Sequence, residues 1–440
     1  MEPFKAYDVR GLYPSQVNKE LAYKIGRAFV TFLKVKQVVV GRDCRLGGDE
    51  LYSGLTSGIT DQGADVIDIG FCSSPKTYFG VNFLKAPSAV MITASHNPKE
   101  YNGFKFTREK AIPISGDTGI EDIEKLVYKN KFSSVDKKGK IIKKDIEKDY
   151  HEFLKTFVGK WKPMKVVMDC ANGMVGPAAS AVVDGTKLSV TKLFFEPDGN
   201  FPNHDPNPLK ASALDKLRAS MKKVNADLGV AFDGDGDRAF FVSHDGEIVE
   251  SDFITALIGE EYLKEHPGSK ILYDLRSSWI VKEEIERLGG KALMSRVGHS
   301  FIKDQMRKEK AVFAGELSGH FYFKECFNTD SAIFTFIKLM NLLSEKGRKL
   351  GDLVKPLKKY FTSGEINSEV KDKEAKMKEL AKIYKDGSIS WLDGVRIDFK
   401  DWWFNVRASN TEPLLRLNLE ARSKRMMEEK RDEILGIIRN

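Results

Sequence analysis

Cysteine is scarce in this chain, and the few cysteines are far apart. The four residues are Cys44, Cys72, Cys170 and Cys326, and no two of them form a C-x-x-C pair. Disulfide frameworks and zinc sites are both indicated by regularly spaced cysteines. The sequence indicates neither, and we expect four reduced thiols packed inside the protein.

Long hydrophobic runs are also missing. No uncharged apolar stretch approaches the roughly 18 residues that a membrane-spanning helix needs. Residues 1–10 carry acidic and basic side chains among the apolar ones and lack the hydrophobic region of a signal peptide. We therefore expect a cytoplasmic protein with no membrane partner.

The composition is otherwise that of a globular protein with a positive charge. Hydrophobic residues make up 41% of the 440 residues, and the formal net charge is +8 at pH 7. Such a charge suits nucleic acid, a membrane surface or small anionic substrates. The densest basic stretch, residues 137–148, also holds two acids and three isoleucines, which favours a solvated surface segment. No nucleic-acid motif accompanies it, so we expect small anions and no nucleic acid as partners.

Short apolar segments followed by polar loops and helical patterns recur along the chain. One core stops growing near 250–300 residues, so several domains are expected. The repeated pattern is typical of α/β units with parallel or mixed sheets, whose ligands lie at the carboxyl ends of strands. We predict three similar α/β domains and a C-terminal α+β domain, spanning residues 1–149, 150–249, 250–362 and 363–440. The apolar strands that support this prediction are residues 38–40, 89–92, 165–168, 228–232, 271–273 and 311–313.

A serine follows the second of these strands, in a loop that reads T-A-S-H-N-P over residues 93–98. A nucleophilic serine needs a base and, for an anionic electrophile, a nearby positive charge. His96 and Lys105 offer these to Ser95. A capped turn explains the same residues equally well, because Ser, His and Asn are common in loops. The loop is not G-x-S-x-G, which lowers the case for an esterase.

Three aspartates follow another apolar strand, where residues 233–238 read D-G-D-G-D-R. Carboxylates at alternating positions repel one another unless a cation joins them, and the glycines let their oxygens converge. All-oxygen ligation selects Mg²⁺ or Ca²⁺. An EF-hand is excluded because Arg238 and His244 occupy its required Gly and Glu positions. We favour Mg²⁺ at Asp233, Asp235 and Asp237 over a charged surface turn.

Two further polar loops suit a sugar phosphate. Residues 315–320 read G-E-L-S-G-H, and Glu316 and Ser318 can hydrogen-bond sugar hydroxyls, although a glycine-bounded turn explains this loop as well. Residues 407–413 read R-A-S-N-T-E-P and offer a guanidinium, hydroxyls and an amide to a phosphate dianion. An Asx or Ser turn before a strand is the alternative there.

Together, the four loops resemble those of the α-D-phosphohexomutase superfamily, in its phosphomannomutase/phosphoglucomutase branch. The resemblance spans nearly the whole chain, and the T-A-S-H-N-P and D-G-D-G-D-R pair is highly specific. The third and fourth loops fit the mannose/glucose type better than the phosphoglucosamine mutases, which remain the alternative. Ser74 stands where the family often has threonine. The resemblance implies four domains around one central cleft, each lending one loop.

The resemblance also implies a role for each candidate residue. Ser95 would carry a phosphoryl group, and a phosphoserine oxygen would join the three aspartates around Mg²⁺. The substrate-binding residues would be Glu316 and Ser318 for the 3- and 4-hydroxyls, His320, and Arg407, Ser409, Asn410 and Thr411 for the phosphate that does not react. The catalytic residues would be Arg10, Ser95, His96, Lys105, Arg238 and His299.

The implied reaction interconverts hexose 1-phosphate and hexose 6-phosphate through a hexose 1,6-bisphosphate, which is also the activator. Phosphoserine 95 would phosphorylate the bound sugar monophosphate, the bisphosphate would turn end for end, and its other phosphate would return to Ser95. A phosphatase would need only one phosphate site, and a non-enzymatic binder would not need a serine beside three aspartates. We expect a monomer or a homodimer.

Overall fold

The computed structural model describes residues 3–408 and 414–440, and the chain divides into two compact units. The first unit comprises the residues up to 250 together with 318–352, and the second comprises 251–317 together with 353–440. Within the described ranges, every helix is too short or too polar to cross a membrane. Each unit is described by itself.

The first unit begins with a six-stranded mixed sheet in the order β1-β5-β4-β2-β3-β6. The central strands β2, β3 and β4 are parallel, whereas β5 runs antiparallel to β4 and β1. Its strands are β1 (Val9–Leu12), β2 (Gln37–Arg42), β3 (Asp65–Phe71), β4 (Ser88–Ile92), β5 (Tyr101–Arg108) and β6 (Ile141–Lys143). The helices of this region are α1 (Lys19–Leu33), α2 (Gly48–Asp61), α3 (Ser74–Phe83), α4 (Ile120–Lys129) and α5 (Glu147–Lys155).

Helices α1 and α2 pack with their backbones in contact. The side chain of Asn18 caps α1 by accepting a hydrogen bond from the amide of Leu21. A side-chain carbon added at Gly26 or Gly58 would overlap the backbone of the opposite helix, so only glycine allows this approach. The pair buries an apolar face that includes Ile25 and Leu55 in the core of the first sheet.

A second mixed sheet of the first unit has the order β11-β10-β9-β7-β8. Strands β7, β8 and β9 are parallel, and β10 is antiparallel to β9. Its elements are β7 (Met164–Asp169), α6 (Gly176–Val183), β8 (Leu188–Leu193), α7 (Asp215–Val224), β9 (Leu228–Phe232), β10 (Ala239–Ser243) and β11 (Ile248–Val249). Strand β9 is buried along its whole length, as its uninterrupted apolar sequence predicts.

The second unit contains three parallel strands and an antiparallel sheet. Strands β13, β12 and β14 are adjacent and parallel. Their elements are α8 (Ser251–Glu265), β12 (Lys270–Asp274), α9 (Trp279–Arg287), β13 (Lys291–Ser295), α10 (His299–Glu309) and β14 (Phe313–Gly315). The chain then gives β15 (Phe321–Phe323), β16 (Thr329–Asp330) and α11 (Ala332–Lys346) to the first unit, and α12 spans Leu350–Val354.

The C-terminal region is an antiparallel sheet with two helices. Its order is β17-β22-β21-β20-β19, and β18 also pairs with β22. The elements are β17 (Phe361–Thr362), β18 (Ile366–Glu369), α13 (Lys373–Ile383), β19 (Ser388–Ser390), β20 (Val395–Asp398), β21 (Trp402–Ala408), β22 (Leu414–Ala421) and α14 (Lys424–Arg439). Its own core includes Leu380, Phe404 and Ile434.

The predicted fold class, with mixed α/β sheets followed by an α+β region, is confirmed. The apolar segments predicted as strands lie in β2, β4, β7, β9 and β12. The sixth strand is displaced: β14 is Phe313–Gly315 instead of residues 311–313. The amide of Ala311 donates to the carbonyl of Met306 and thereby closes the end of α10, so the strand starts later.

Candidate active site

Ser95 lies just beyond the carboxyl end of β4 and is buried. Its φ of 52° is in the left-handed region, which is uncommon for a residue other than glycine. The Arg45 guanidinium fixes this conformation by donating to the carbonyls of Ser95 and Asn97, each at 2.6 Å, and of Pro98 at 2.8 Å. Backbone strain held by its surroundings is a feature of functional sites.

The Ser95 hydroxyl lies between an imidazole and a carboxylate. Its Oγ is 3.1 Å from Nδ1 of His96 and 3.2 Å from Oδ2 of Asp233. Burial lowers the pKa of His96 well below its usual value, and the nearby Arg238 and Arg10 guanidiniums lower it further. His96 is therefore neutral at pH 7 and can accept a hydrogen bond from Ser95.

The aspartate loop follows β9 and is organised by its own backbone. Oδ1 of Asp233 accepts hydrogen bonds from the amides of Gly236, Asp237 and Arg238 at 3.0–3.1 Å. Gly236 has a φ of 79°, which the turn requires. Carboxylate oxygens of Asp233, Asp235 and Asp237 come within 4.8 Å of one another, and all three side chains are buried.

Lys105, on β5, offsets part of this negative charge. Its Nζ lies 2.6 Å from Oδ2 of Asp235 and 2.7 Å from Oδ2 of Asp237. Although burial opposes the charged form, the two aspartates raise the pKa of Lys105 well above its usual value. The pKa of Asp233 is raised by burial and by repulsion from Asp237 and Asp235. Lys105 therefore does not remove the repulsion among the three carboxylates.

The donor atoms of the aspartate loop fit a hard divalent cation. Oδ1 of Asp235 is buried and accepts no hydrogen bond from the described residues, and Oδ1 of Asp237 is buried with Nε2 of His320 at 3.4 Å. Buried carboxylate oxygens of this kind need a cation or a donor. The oxygen-only set suits Mg²⁺ better than a transition metal.

Four other predicted residues of the first unit lie near the serine loop or the aspartate loop. Arg10 donates to Oδ1 of Asn97 at 2.7 Å, which places it beside the serine loop. Nε of Arg238 donates to Nε2 of His320 at 3.1 Å, and Nδ1 of His320 is 2.9 Å from the Ser318 hydroxyl. The structure therefore brings these four side chains to the serine and aspartate loops.

Three residues of this region were missed by the sequence analysis. Ser74 donates to Oδ2 of Asp235; the sequence analysis named it only as a position where the family often has threonine and gave it no role. Asp330 is fully buried and presents an oxygen within 4.8 Å of ligand atoms of Asp237 and His320. Neither Asp330 nor Arg45 belongs to a recognisable motif, so the sequence offered no signal for them.

The second unit holds Glu316 and the residues around it. Oε1 of Glu316 accepts a hydrogen bond from the amide of Gly298 at 3.1 Å, which ties it to the start of α10, whose first residue is His299. Arg276 forms a two-point contact with Asp274, at 3.1 and 2.8 Å, and its Nη2 is 3.6 Å from Oε1 of Glu316. Glu316 is thus held between a backbone amide and a guanidinium.

Arg407 lies near the end of β21 and is buried. Its Nη2 is 3.1 Å from Oε2 of Glu365, a residue that the sequence analysis did not single out. Ser409, Asn410 and Thr411, predicted to bind phosphate with Arg407, lie outside the described residues. Their predicted role stays a prediction.

Four family models match consecutive parts of the chain. Their descriptions are "Phosphoglucomutase/phosphomannomutase, alpha/beta/alpha domain I" for residues 1–134, "domain II" for 148–246 and "domain III" for 250–360, and "C-terminal domain" for 365–437. The match covers all four loops identified in the sequence.

Curated proteins and a solved structure agree with this match. The chain is 39% identical to "Phosphohexose mutases" of Xanthomonas campestris pv. campestris, covering 99% of both chains. It is 41% identical to "Phosphomannomutase" of Methanocaldococcus jannaschii, covering 99% of this chain and 97% of that one. A crystal structure of a phosphoglucomutase/phosphomannomutase family protein from Burkholderia thailandensis is similar with a TM-score of 0.92 and 33% identity, covering 99% of this chain and 96% of the other.

Proposed function

The chain belongs to the phosphoglucomutase/phosphomannomutase family, and from this premise we propose that it interconverts the 1-phosphates and 6-phosphates of glucose and mannose. The observation that carries the proposal is the buried Ser95 hydroxyl, 3.2 Å from Asp233 in a loop of three aspartates that also contacts Lys105. A phosphoryl carrier needs such a hydroxyl beside positive charge.

In the first step, the bond between phosphorus and Oγ of phosphorylated Ser95 breaks, and a bond forms to the free hydroxyl of the sugar monophosphate. The sugar hydroxyl gives its proton to a base, and the Ser95 oxygen that leaves phosphorus takes up one proton, so Ser95 ends the step as the free alcohol. Lys105, Arg10 and Arg238 supply fixed positive charge near the transferring group. His96, neutral and hydrogen-bonded to Oγ, orients the serine.

Mg²⁺ bound by Asp233, Asp235 and Asp237 would offset negative charge on the phosphoryl group. We infer Mg²⁺ from the oxygen donors and from the buried oxygens of Asp235 and Asp237 described above.

The second transfer needs the hexose 1,6-bisphosphate in the opposite orientation. Glu316 and Ser318 contact groups shared by both orientations, namely the sugar hydroxyls, and His320, 2.9 Å from the Ser318 hydroxyl, is a further substrate-binding residue. Arg407 with Ser409, Asn410 and Thr411 binds the phosphate that does not react, and His299 begins α10, directly after the Gly298 amide that is bonded to Glu316. A catalytic amount of the bisphosphate would keep Ser95 phosphorylated.

The sugar is inferred from the family and from the recognition groups. The two curated relatives described above are named as a phosphomannomutase and phosphohexose mutases, which disfavours the phosphoglucosamine alternative. Glucose and mannose differ only at C2, and Glu316 and Ser318 are assigned to the 3- and 4-hydroxyls. We therefore propose that both sugars react.

The four family matches also support a division into domains near residues 149, 249 and 362. We further propose a cytoplasmic location, since all four cysteines are free thiols, and a monomer or homodimer as the active form.

Purified protein should be assayed with glucose 1-phosphate, mannose 1-phosphate and glucosamine 1-phosphate, each with a trace of hexose 1,6-bisphosphate and Mg²⁺. We expect 6-phosphate products from the first two sugars and far less from the third. Release of inorganic phosphate without isomerisation would indicate a phosphatase and overturn the proposal. A preference for glucosamine 1-phosphate would restore the alternative substrate.

A further inference from the structure

Glu365 is a single carboxylate surrounded by three arginines of the second unit. It immediately precedes β18, and its side chain is 26% exposed. Oε2 is 3.1 Å from Nη2 of Arg407 and 3.5 Å from Nη1 of Arg276, and Oε1 is 3.1 Å from Nη1 of Arg416. Neither the sequence motifs nor the proposed mechanism gives this residue a role.

The contact with Arg407 fixes one end of its guanidinium and leaves the rest for another anion. Only Nη2 of Arg407 donates to Glu365, while its buried Nε donates to none of the described residues. A guanidinium has five N–H donors in a rigid plane, so it can be held on one edge and bind phosphate on another. Orientation by Glu365 therefore does not consume the donors that a phosphate needs.

The contact with Arg276 extends the network to the sugar-binding loop. Arg276 is bound at two points by Asp274, and Oδ2 of Asp274 also accepts a hydrogen bond from the amide of Leu317 at 2.8 Å. The same guanidinium is 3.6 Å from Glu316. A continuous chain of charged contacts thus runs from Glu316 through Arg276 and Glu365 to Arg407.

Glu365 is charged under ordinary conditions. Burial opposes ionisation, but the three neighbouring guanidiniums of Arg276, Arg407 and Arg416 lower the pKa of Glu365 below its usual value. Without this charge, Arg407 would lose its nearest acidic partner among the described residues.

We propose that Glu365 is a positioning residue that orients Arg407 for the non-reacting phosphate and, through Arg276, holds that arginine in fixed register with Glu316. The inference rests on the proposed function, in which Arg407 binds phosphate and Glu316 binds sugar hydroxyls. A hexose phosphate has a fixed separation between its phosphate and its ring hydroxyls. Preorganised groups at the matching separation bind it without a cost for ordering long side chains.

The test compares Glu365→Gln with a matched control, Glu369→Gln, on the same short stretch of chain. Glu369 is exposed and belongs to β18. Gln keeps the shape of Glu365 but not its charge, so we expect KM for glucose 1-phosphate and mannose 1-phosphate to rise about tenfold, with kcat changed less than about threefold. Glu365→Asp should restore part of the loss, and Glu369→Gln should match the wild type.

A double-mutant cycle separates positioning from a general structural effect. If Glu365 acts through Arg407, then adding Glu365→Gln to Arg407→Gln should change KM less than about twofold. Full additivity of the two substitutions would overturn the proposal. So would equal behaviour of the Glu365→Gln and Glu369→Gln variants, or a loss confined to kcat.

A direct measurement of substrate binding tests the role of Glu365 separately from the proposed mutase activity. In a Ser95→Ala background, which cannot turn over substrate, calorimetry with glucose 6-phosphate should give a dissociation constant about tenfold higher for Glu365→Gln. An absence of mutase activity in the wild type would refute the proposed function, while this binding arm would still decide the role of Glu365. Unchanged affinity in an active enzyme would refute the positioning role alone.

Discussion

The two regions that carry the candidate residues differ in how their charges are balanced. Near the aspartate loop, the carboxyl groups of Asp233, Asp235, Asp237 and Asp330 are accompanied by the cations of Lys105 and Arg238. Around Glu365, the three acids Asp274, Glu316 and Glu365 face the three arginines Arg276, Arg407 and Arg416.

This difference shows how the same types of charged residue can suit a cation in one region and an anion in the other. The first region has an excess of acid and leaves the buried Oδ1 of Asp235 without a donor among the described residues, which suits a cation. The second is balanced and uses carboxylates to orient guanidiniums, and the buried Nε of Arg407 has no acceptor among the described residues. In the proposed mechanism, recognition of a phosphate by this second region therefore depends on the orientation of Arg407 more than on net charge.

Removing the nucleophile is the largest change that can be made to the first region. Ser95→Ala deletes the only atom proposed to carry the phosphoryl group, so kcat should fall by at least about a thousandfold with the fold intact. Mutase assays and labelling with ³²P-hexose 1,6-bisphosphate measure the effect. The control is Ser57→Ala, at an exposed position of α2. Stable label on the Ser95→Ala protein would contradict the prediction.

A change of charge tests the cation preference of the same region. Asp235→Asn removes one negative charge at nearly constant shape, and we expect at least about a tenfold loss of Mg²⁺ affinity, with activity falling in parallel. Mg²⁺ titrations of activity and of thermal unfolding measure it. Asp184→Asn, at an exposed carboxylate beyond α6, should have no effect. Full activity of the wild type in excess chelator would show that the aspartates hold no required metal.

Replacing Glu316 of the second region by a neutral residue tests which part of the sugar this region recognises. Glu316→Gln should lower kcat/KM for glucose 1-phosphate and mannose 1-phosphate about equally, by roughly tenfold to a hundredfold, because the hydroxyls it contacts are common to both sugars. The wild-type values for the two sugars should lie within about a hundredfold. The control is Glu286→Gln, an exposed position on α9. A variant that cripples only one sugar would show that Glu316 inspects C2.

The smallest expected effect concerns folding stability, at a cluster of charged residues outside both regions. Glu147 is hydrogen-bonded to His151 and paired with Lys76, and these contacts lower its pKa to about 2. The pKa of Glu147 is lower in the folded protein than in the unfolded chain, where it is near 4.5. Its charge therefore stabilises the fold above about pH 4.5, and this stabilisation is lost as the pH falls towards 2. Because the side chain is 38% exposed, we expect only about 1 kcal/mol.

Urea unfolding of the wild type and of Glu147→Gln at pH 5.5 and pH 3 measures this contribution. The difference in stability between the two proteins should shrink on acidification, because Glu147 of the unfolded wild type takes up a proton below about pH 4.5 whereas the Glu147→Gln variant cannot. A difference that does not change with pH would assign the effect to packing.

The sequence predicted the parts of the site that depend on local pattern. Strand β9 and the D-G-D-G-D-R loop are adjacent in the chain, so an apolar run followed by alternating carboxylates was enough to locate them. The support for Ser95 comes from Arg45, 50 positions away, and that contact depends on how β2 and β4 pair. No periodicity in the sequence encodes a contact of this kind.

The network around Glu365 was missed for the same reason. Arg276 and Glu365 are 89 positions apart, and each is an ordinary charged residue in its own segment. The motif at residues 407–413 pointed to Arg407 as a phosphate ligand, whereas Glu365, the carboxylate that contacts Arg407, follows a glycine in a stretch with no pattern. Residues that contact substrates leave short motifs, and residues that position them are recognised only from the fold.

The three backbone amides bound by Oδ1 of Asp233 have a consequence for metal exchange. Because this carboxylate oxygen is satisfied by the loop itself, the turn keeps its shape through protein contacts alone. Chelation should then leave a folded apoprotein that regains activity at the speed of ion entry, with no refolding phase. If the loop binds the proposed divalent ion, catalytic output would follow the free concentration of that ion reversibly, so the activity would report the ion supply.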